Sequence, residues 1–345
     1  MIAQRVAPSV DAGGGLAAEV AFLKRPESYP ESPSAVEAVE THLSWVFLTD
    51  RHAYKLKKPV RYPFLDFTTL AARRRDAEDE VRLNRRLAPS VYLGVVAVTA
   101  GRDGRLHLGD DGTIVDWLVK MRRLARERML DYAIAAESVD GEGLRRVAQL
   151  LGGFYREAPP APFSPAAYRR RFEQEIEANA RALAQPRYGL ATDAITRIAA
   201  AQHAFLTRHV ELLAARAVAG RIVEGHGDLR PEHVSLGPPA VVIDCVEFNR
   251  DFRLLDPADE LAYLALECER LGAPSAGATL LAFYRALGGD DPPEPLIDFY
   301  ASIRAALRAK LAVWHLDDSS VPYPSQWLNR AQAYLALADR HVGAT

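Results

Sequence analysis

The stretch His226-Gly-Asp-Leu-Arg-Pro-Glu-His-Val-Ser-Leu236, followed by Ala240-Val-Val-Ile-Asp244, decides the fold. A polar loop carrying Asp228 runs into a short apolar strand, a Gly-Pro-Pro turn reverses the chain, and a second apolar strand ends on Asp244. An isolated Asp at a strand end often only caps or turns the chain. Two of them sixteen residues apart, each at the edge of a short strand of one hairpin, place two carboxylates where chemistry can use them.

Working outward, the chain after Met121 is helical apart from this island. The periodicity predicts helices near 143–155, 165–185, 191–216, 256–271, 275–287, 295–316 and 323–342. Upstream the text is strand-like. The apolar run Trp45-Val-Phe-Leu48 is followed by a turn at Asp50-Arg51 and by His52-Ala-Tyr-Lys-Leu-Lys57. In that run Tyr54 and Leu56 fall on one face and Ala53, Lys55 and Lys57 on the other. A helix is expected from about Thr69 to Ala88, then strands at Tyr92–Thr99, Arg105–Leu108 and Ile114–Met121, set off by Gly101-Arg-Asp-Gly104 and Gly109-Asp-Asp-Gly112. Short helices are also expected at 35–40 and at Leu16–Lys24.

The expected organisation is α+β in two lobes. Residues 1–33 form a partly flexible extension, 34–119 an antiparallel sheet carrying one helix, and 120–345 a largely helical lobe with the short catalytic hairpin, the join lying near Val119–Arg122.

With 49% hydrophobic and 26% charged residues the chain is a globular protein, and 43 Lys and Arg against 45 Asp and Glu leave no basic excess for a nucleic-acid partner. No apolar run is long enough for a membrane span, and the N-terminal stretch lacks the continuous apolar core of a secretory leader, so none is expected. Cys245 and Cys268 match no zinc or redox spacing and read as buried thiols, so a reducing, cytoplasmic setting is expected.

His226-Gly-Asp-Leu229, with His233 five residues after the Asp, then Ile243-Asp244 and Phe252-Arg-Leu-Leu-Asp256-Pro257, resembles the aminoglycoside phosphotransferase-like kinases of protein-kinase-like fold. The span Asp228-Leu-Arg-Pro-Glu-His233 also resembles the protein-kinase catalytic loop. Trp45-Val-Phe-Leu-Thr49, Tyr54-Lys-Leu-Lys-Lys-Pro-Val60, Phe64-Leu-Asp-Phe67 and Glu247-Phe-Asn249 are similar to a bacterial subset in which a kinase-like domain precedes a P-loop ATP-binding domain. No Gly-x-x-x-x-Gly-Lys-Ser/Thr occurs in this sequence.

The resemblance implies an ATP-dependent phosphotransferase acting on a hydroxyl of a small polar metabolite, such as an amino sugar or aminoglycoside. A catalytically weak nucleotide-binding module acting through a partner is the alternative. Phosphoryl transfer needs a carboxylate to deprotonate the acceptor, a role for Asp228, and a hard oxygen ligand for magnesium, a role for Asp244. Arg230 offsets phosphoryl charge.

His233 stands where the family has a metal-binding Asn, and an imidazole there favours manganese over magnesium. Ala53-Tyr-Lys55 is similar to the kinase strand whose Lys holds the nucleotide phosphates, with Lys57 the competing choice. Glu80 shares a helix face with Ala77, Leu83 and Leu87, so its charge needs a partner, and Lys55 is the obvious one, with Glu78 the alternative carboxylate. Backbone groups of Val119–Met121 are expected to read adenine, and Ser44, in Thr41-His-Leu-Ser44, to cover phosphates. A metallohydrolase built on His226, Asp228, His233 and Asp244 is a reading of a different class.

Overall fold

A computed structural model describes residues 13–62, 64–109, 111–318 and 321–343, so the first twelve residues of the expected extension lie outside the described residues. In chain order the first part comprises α1 (Gly13–Leu23), β1 (Glu37–Glu40), β2 (Ser44–Leu48), β3 (His52–Lys57), β4 (Arg61–Tyr62), β5 (Leu65–Asp66), α2 (Leu70–Asn84), β6 (Tyr92–Ala100), β7 (Leu106–Leu108) and β8 (Thr113–Arg122). There follow α3 (Leu130–Ala135), α4 (Gly141–Glu157), α5 (Pro165–Leu183), α6 (Thr192–Arg208), α7 (Val210–Val218), β9 (Val223–Glu224), β10 (Val234–Ser235) and β11 (Val241–Val242). The chain closes with β12 (Leu254–Leu255), α8 (Pro257–Arg270), α9 (Pro274–Ala286), α10 (Glu294–Trp314) and α11 (Pro324–Gly343).

Two compact units result. The first takes the chain up to Arg126 and also the returning segment Val241–Asp251; the second takes Glu127–Ala240 and the chain from Phe252 onward. The Asp244 end of the sequence island thus belongs to the sheet unit and the Asp228 end to the helical unit.

In the first unit a six-stranded antiparallel sheet runs in the order β1-β2-β3-β8-β6-β7. The alternation of β3 does what its pattern predicts. Tyr54 and Leu56 pack with Phe47, Val98, Leu118 and the α1 residues Phe22 and Leu23 on one face, while Ala53 joins Val119, Met121 and the α2 residues Ala77 and Val81 on the other. Lys55 and Lys57 therefore emerge on the face that α2 covers. Thr69 starts α2 by accepting the Ala72 amide at 3.1 Å, a cap that contributes about 1 kcal/mol. Inside the same unit Arg73 donates its Nε to both oxygens of buried Asp116 at 2.9 Å, fixing α2 against β8.

The second unit is helical, and its starts are written in the sequence: Asp140 caps α4, Ser164 with Pro165 caps α5, and Asp256 with Pro257 caps α8. Its core holds an aromatic cluster in which Phe205 stacks on Phe299 with ring centroids 4.3 Å apart and Phe172 meets both Phe299 and Tyr300 edge-on or tilted.

Two expectations are corrected. The segment 35–40 is not a helix; Glu37–Glu40 is the edge strand β1, paired with β2 from Glu37↔Leu48 to Glu40↔Trp45. Six residues cannot offset the cost of nucleating a helix, whereas a neighbouring strand supplies a ready ladder. The helix expected over 191–216 is two helices, because His209 leaves helical geometry (φ −113°, ψ 32°) and stacks its ring on Phe205.

Candidate active site

In the sheet unit three predicted residues come together. Lys55 Nζ lies 3.0 Å from Glu80 Oε1 and 2.8 Å from Asp244 Oδ1. Glu80, on the apolar stripe of α2, is 0% exposed, so the lysine is the partner its buried charge requires; Glu78, the alternative, sits on the exposed helix face with Arg74. Burial pulls the Lys55 ammonium down, but the carboxylates of Asp244, Glu80 and Glu247 outweigh it and hold the pKa well above the lysine range. The lysine is cationic at every working pH.

Asp244 follows β11 with φ at 61°, the left-handed region that few residues other than Gly, Asn and Asp occupy. Its amide donates to the Tyr92 hydroxyl at 3.0 Å, and the next amide, of buried Cys245, donates to Asn84 Oδ1 at 2.9 Å. These two bonds hold the turn, and the Asp244 side chain remains 45% exposed. A partly exposed carboxylate oxygen is a hard donor of the kind a magnesium ion takes, so Asp244 could hold one.

Lys57 lies deeper, within 2.8 Å of Asp76 Oδ2 and 2.5 Å of Glu80 Oε2 and bonded to Glu247. Asp76, Glu80 and Glu247 form the one group of three ligand-type side chains spaced for a metal among the described residues, and the ammonium already fills it. Among the described residues His226, Asp228 and His233, three of the four residues of the metallohydrolase reading, are not in a group spaced for a metal.

Ser44 opens β2, buried, opposite Lys57 in the register; its amide donates to Thr41 Oγ1 at 3.0 Å and its carbonyl accepts the Thr41 hydroxyl at 2.9 Å. Val119 and Met121 are buried in β8 with β3 on one side and β6 on the other, so their backbone groups belong to the ladders.

In the helical unit Asp228, Arg230 and His233 are one cluster. Asp228 Oδ2 accepts from Arg230 Nε at 3.1 Å, and its Oδ1 accepts from the Tyr263 hydroxyl at 3.2 Å. Burial alone would raise the Asp228 carboxyl, but Arg230 foremost, helped by Arg308, holds it below the usual range. His233 is buried with Nδ1 2.8 Å from the Asp228 carbonyl and Nε2 3.2 Å from Arg230 Nη2. A carbonyl only accepts and a guanidinium only donates, so the ring is the neutral tautomer with its proton on Nδ1.

Sequence reasoning missed the brace beneath this loop. Buried Glu260 of α8 accepts the His226 amide at 2.8 Å, the Gly227 amide, and the Tyr155 hydroxyl at 2.7 Å. A Cβ on Gly225 would stand 2.6 Å from Glu260 Oε2, which explains the glycine before His226. The available signal was a Glu four residues beyond the Asp256-Pro257 helix start, on a helix otherwise apolar over Leu261–Leu266.

The sequence profile of the phosphotransferase enzyme family matches residues 50–297. The chain belongs to that family. An uncharacterized protein of Mycobacterium tuberculosis is 34% identical over 289 residues, covering 80% of this chain and 54% of that protein. This family member thus spans about half the length of the curated relatives it matches.

Among solved structures, the GDP complex of aminoglycoside 2'-phosphotransferase-IIIa superposes with a TM-score of 0.52 at 16% identity, covering 92% of this chain and 98% of that one. A choline/ethanolamine kinase family protein from Mesorhizobium loti gives 0.51 at 14% identity, covering 95% and 99%. The fold is therefore kinase-like, as the α+β reading of the sequence expects. Among the described residues no helix is long and apolar enough to cross a membrane.

Proposed function

We propose that this chain is an ATP-dependent kinase of a small molecule, transferring the γ-phosphoryl group to a hydroxyl of a polar metabolite, with amino sugars and aminoglycosides the first acceptors to test. The observation that carries it is Lys55, held cationic between buried Glu80 and exposed Asp244. That arrangement gives phosphates a lysine and a metal-binding carboxylate within one compact unit. Magnesium, when bound, supplies charge neutralisation at the phosphates, and Asp244 is the residue that would hold it.

Each other residue then has a task. Asp228 takes the proton of the acceptor hydroxyl, and its depressed pKa keeps it ionised and ready at neutral pH. Arg230 orients Asp228 and faces phosphoryl charge. His233, with both ring nitrogens engaged by the Asp228 carbonyl and Arg230, fixes the loop around the base, and metal coordination falls to Asp244. The adenine reading expected of Val119–Met121 moves beyond Arg123, because the β8 backbone pairs with β3 and β6 and the amides of Arg122 and Arg123 are given to the carbonyls of Val91 and Arg51. The non-catalytic alternative drew its motive from His233, which in this reading supports the base.

Titration of adenine nucleotides with and without Mg²⁺ or Mn²⁺ tests the nucleotide half of the proposal, and ATP consumption across a metabolite panel tests the acceptor half. No nucleotide binding under any metal condition would sink it.

A further inference from the structure

The proposed function uses Lys55, Glu80 and Asp244 but leaves Lys57, Asp76 and the Glu247-Phe-Asn249 segment without a task. Lys57 is 1% exposed, lies over the Phe67 ring at 5.6 Å, and meets three carboxylates: Asp76 at 2.8 Å, Glu80 at 2.5 Å and Glu247. Burial opposes its charge, and Glu247 and Glu80, with Asp76, restore it, so the ammonium stays protonated. Asp76 and Glu80 stand four apart on α2, so their ion pairs with Lys57 tie β3 to that helix.

Glu247 is different in kind. It lies on the returning segment, three residues after Asp244 and 190 residues from Lys57. Between the two acids the backbone is pinned at its near end by Tyr92 and Asn84, as described above, and Lys57 takes its far end by charge. Asp244 itself sits in a left-handed conformation that relaxes unless its surroundings hold it. Glu80 accepts from Lys55 and forms an ion pair with Lys57, so the two contacts share one base: Lys55 to Asp244, and Lys57 to Glu247.

We propose that Lys57 and Glu247 are a positioning pair for Asp244, a second ion pair beneath the phosphate lysine that fixes the turn 244–247 so that the Asp244 carboxylate meets the metal of the bound nucleotide. The inference rests on the functional reading above. Groups that orient a metal ligand typically cost 10- to 100-fold in metal affinity when lost.

The test is nucleotide titration of the full chain with and without Mg²⁺, together with its thermal midpoint. Glu247→Gln is expected to weaken magnesium-dependent binding of ATP by about 10- to 100-fold while metal-free ATP affinity stays as in wild type. Glu247→Asp keeps the charge and the fold, draws the carboxylate back by one methylene, and is expected to show an intermediate loss. Asp76→Asn takes a carboxylate from the same lysine without touching the turn, and is expected to lower the thermal midpoint yet keep the wild-type magnesium dependence. Unchanged magnesium dependence in both Glu247 variants, or an equal loss in Asp76→Asn, overturns the positioning pair. Wild-type binding that does not respond to Mg²⁺ overturns it together with the functional reading, and the wild-type titration alone tells the two failures apart.

Discussion

Replacing Asp228 with Asn separates its two jobs. The carboxylate is 30% exposed, accepts from Arg230 and from Tyr263, and in the proposed reaction takes a proton from the acceptor. Asn keeps the shape and one accepting oxygen but cannot take that proton. A general base contributes about 10²- to 10⁴-fold, so the barrier should rise by about 3–5 kcal/mol in kcat while nucleotide affinity is unchanged. The stability cost is smaller. A charge-assisted hydrogen bond contributes about 1.5–3 kcal/mol, but the site is partly solvated and Arg230 keeps Glu232 at 2.6 Å, so about 1 kcal/mol is expected.

The sign of the pH dependence follows from the depressed Asp228 carboxyl. A group whose folded pKa lies below its unfolded value of about 3.9 stabilises the fold above that value and loses the contribution as pH falls through the folded one. The stability gap between wild type and Asp228→Asn, followed by urea unfolding, should therefore be full at neutral pH and close in acid. Turnover within tenfold of wild type, or a gap of the same size at pH 7 and in acid, would refute the reasoning.

Glu80→Ala removes the shared partner of buried Lys57 and part-buried Lys55, and by the usual cost of breaking a buried pair should destabilise the chain by about 3–5 kcal/mol in urea unfolding; a loss below about 1 kcal/mol would mean the network carries little. Glu260→Ala strands the buried His226 amide and Tyr155 hydroxyl and the part-buried Gly227 amide, at about 1–3 kcal/mol for each buried donor, so a loss of at least about 2 kcal/mol is expected, with wild-type-like stability the contrary result. His233→Asn should leave the preference between Mg²⁺ and Mn²⁺ unchanged in nucleotide titrations; a shift toward Mg²⁺ would return His233 to a ligand role.

Local order was legible in the sequence wherever short-range chemistry sets it. The alternation of His52–Lys57 assigned the two faces of β3, and Asp256-Pro257 marked the start of α8, because a cap and a pleat are decided by neighbours in the chain. The carboxylate on an apolar stripe of α2 announced a buried ion pair, and the partner named for Glu80 is one of the two found. What escaped was set at long range. Residues 37–40 became a strand because β2 was there to pair with, and Glu260 became the brace of a loop 33 and 34 residues upstream. No periodicity within a window reports either.

The choice between Lys55 and Lys57 shows where that boundary falls. Two residues apart on one strand, they share a face, a neighbour in Glu80 and a residue type, so alternation treats them alike. Their solvent access separates them. The Lys55 side chain is 14% exposed and reaches from Glu80 to a carboxylate at the surface, so a phosphate can join its coordination without uncovering a buried charge. A phosphate approaching Lys57 would have to displace one of three buried carboxylates, and a carboxylate left unpaired in the interior costs several kcal/mol. In the proposed function that cost favours Lys55 for the phosphates and leaves Lys57 to the positioning role proposed above.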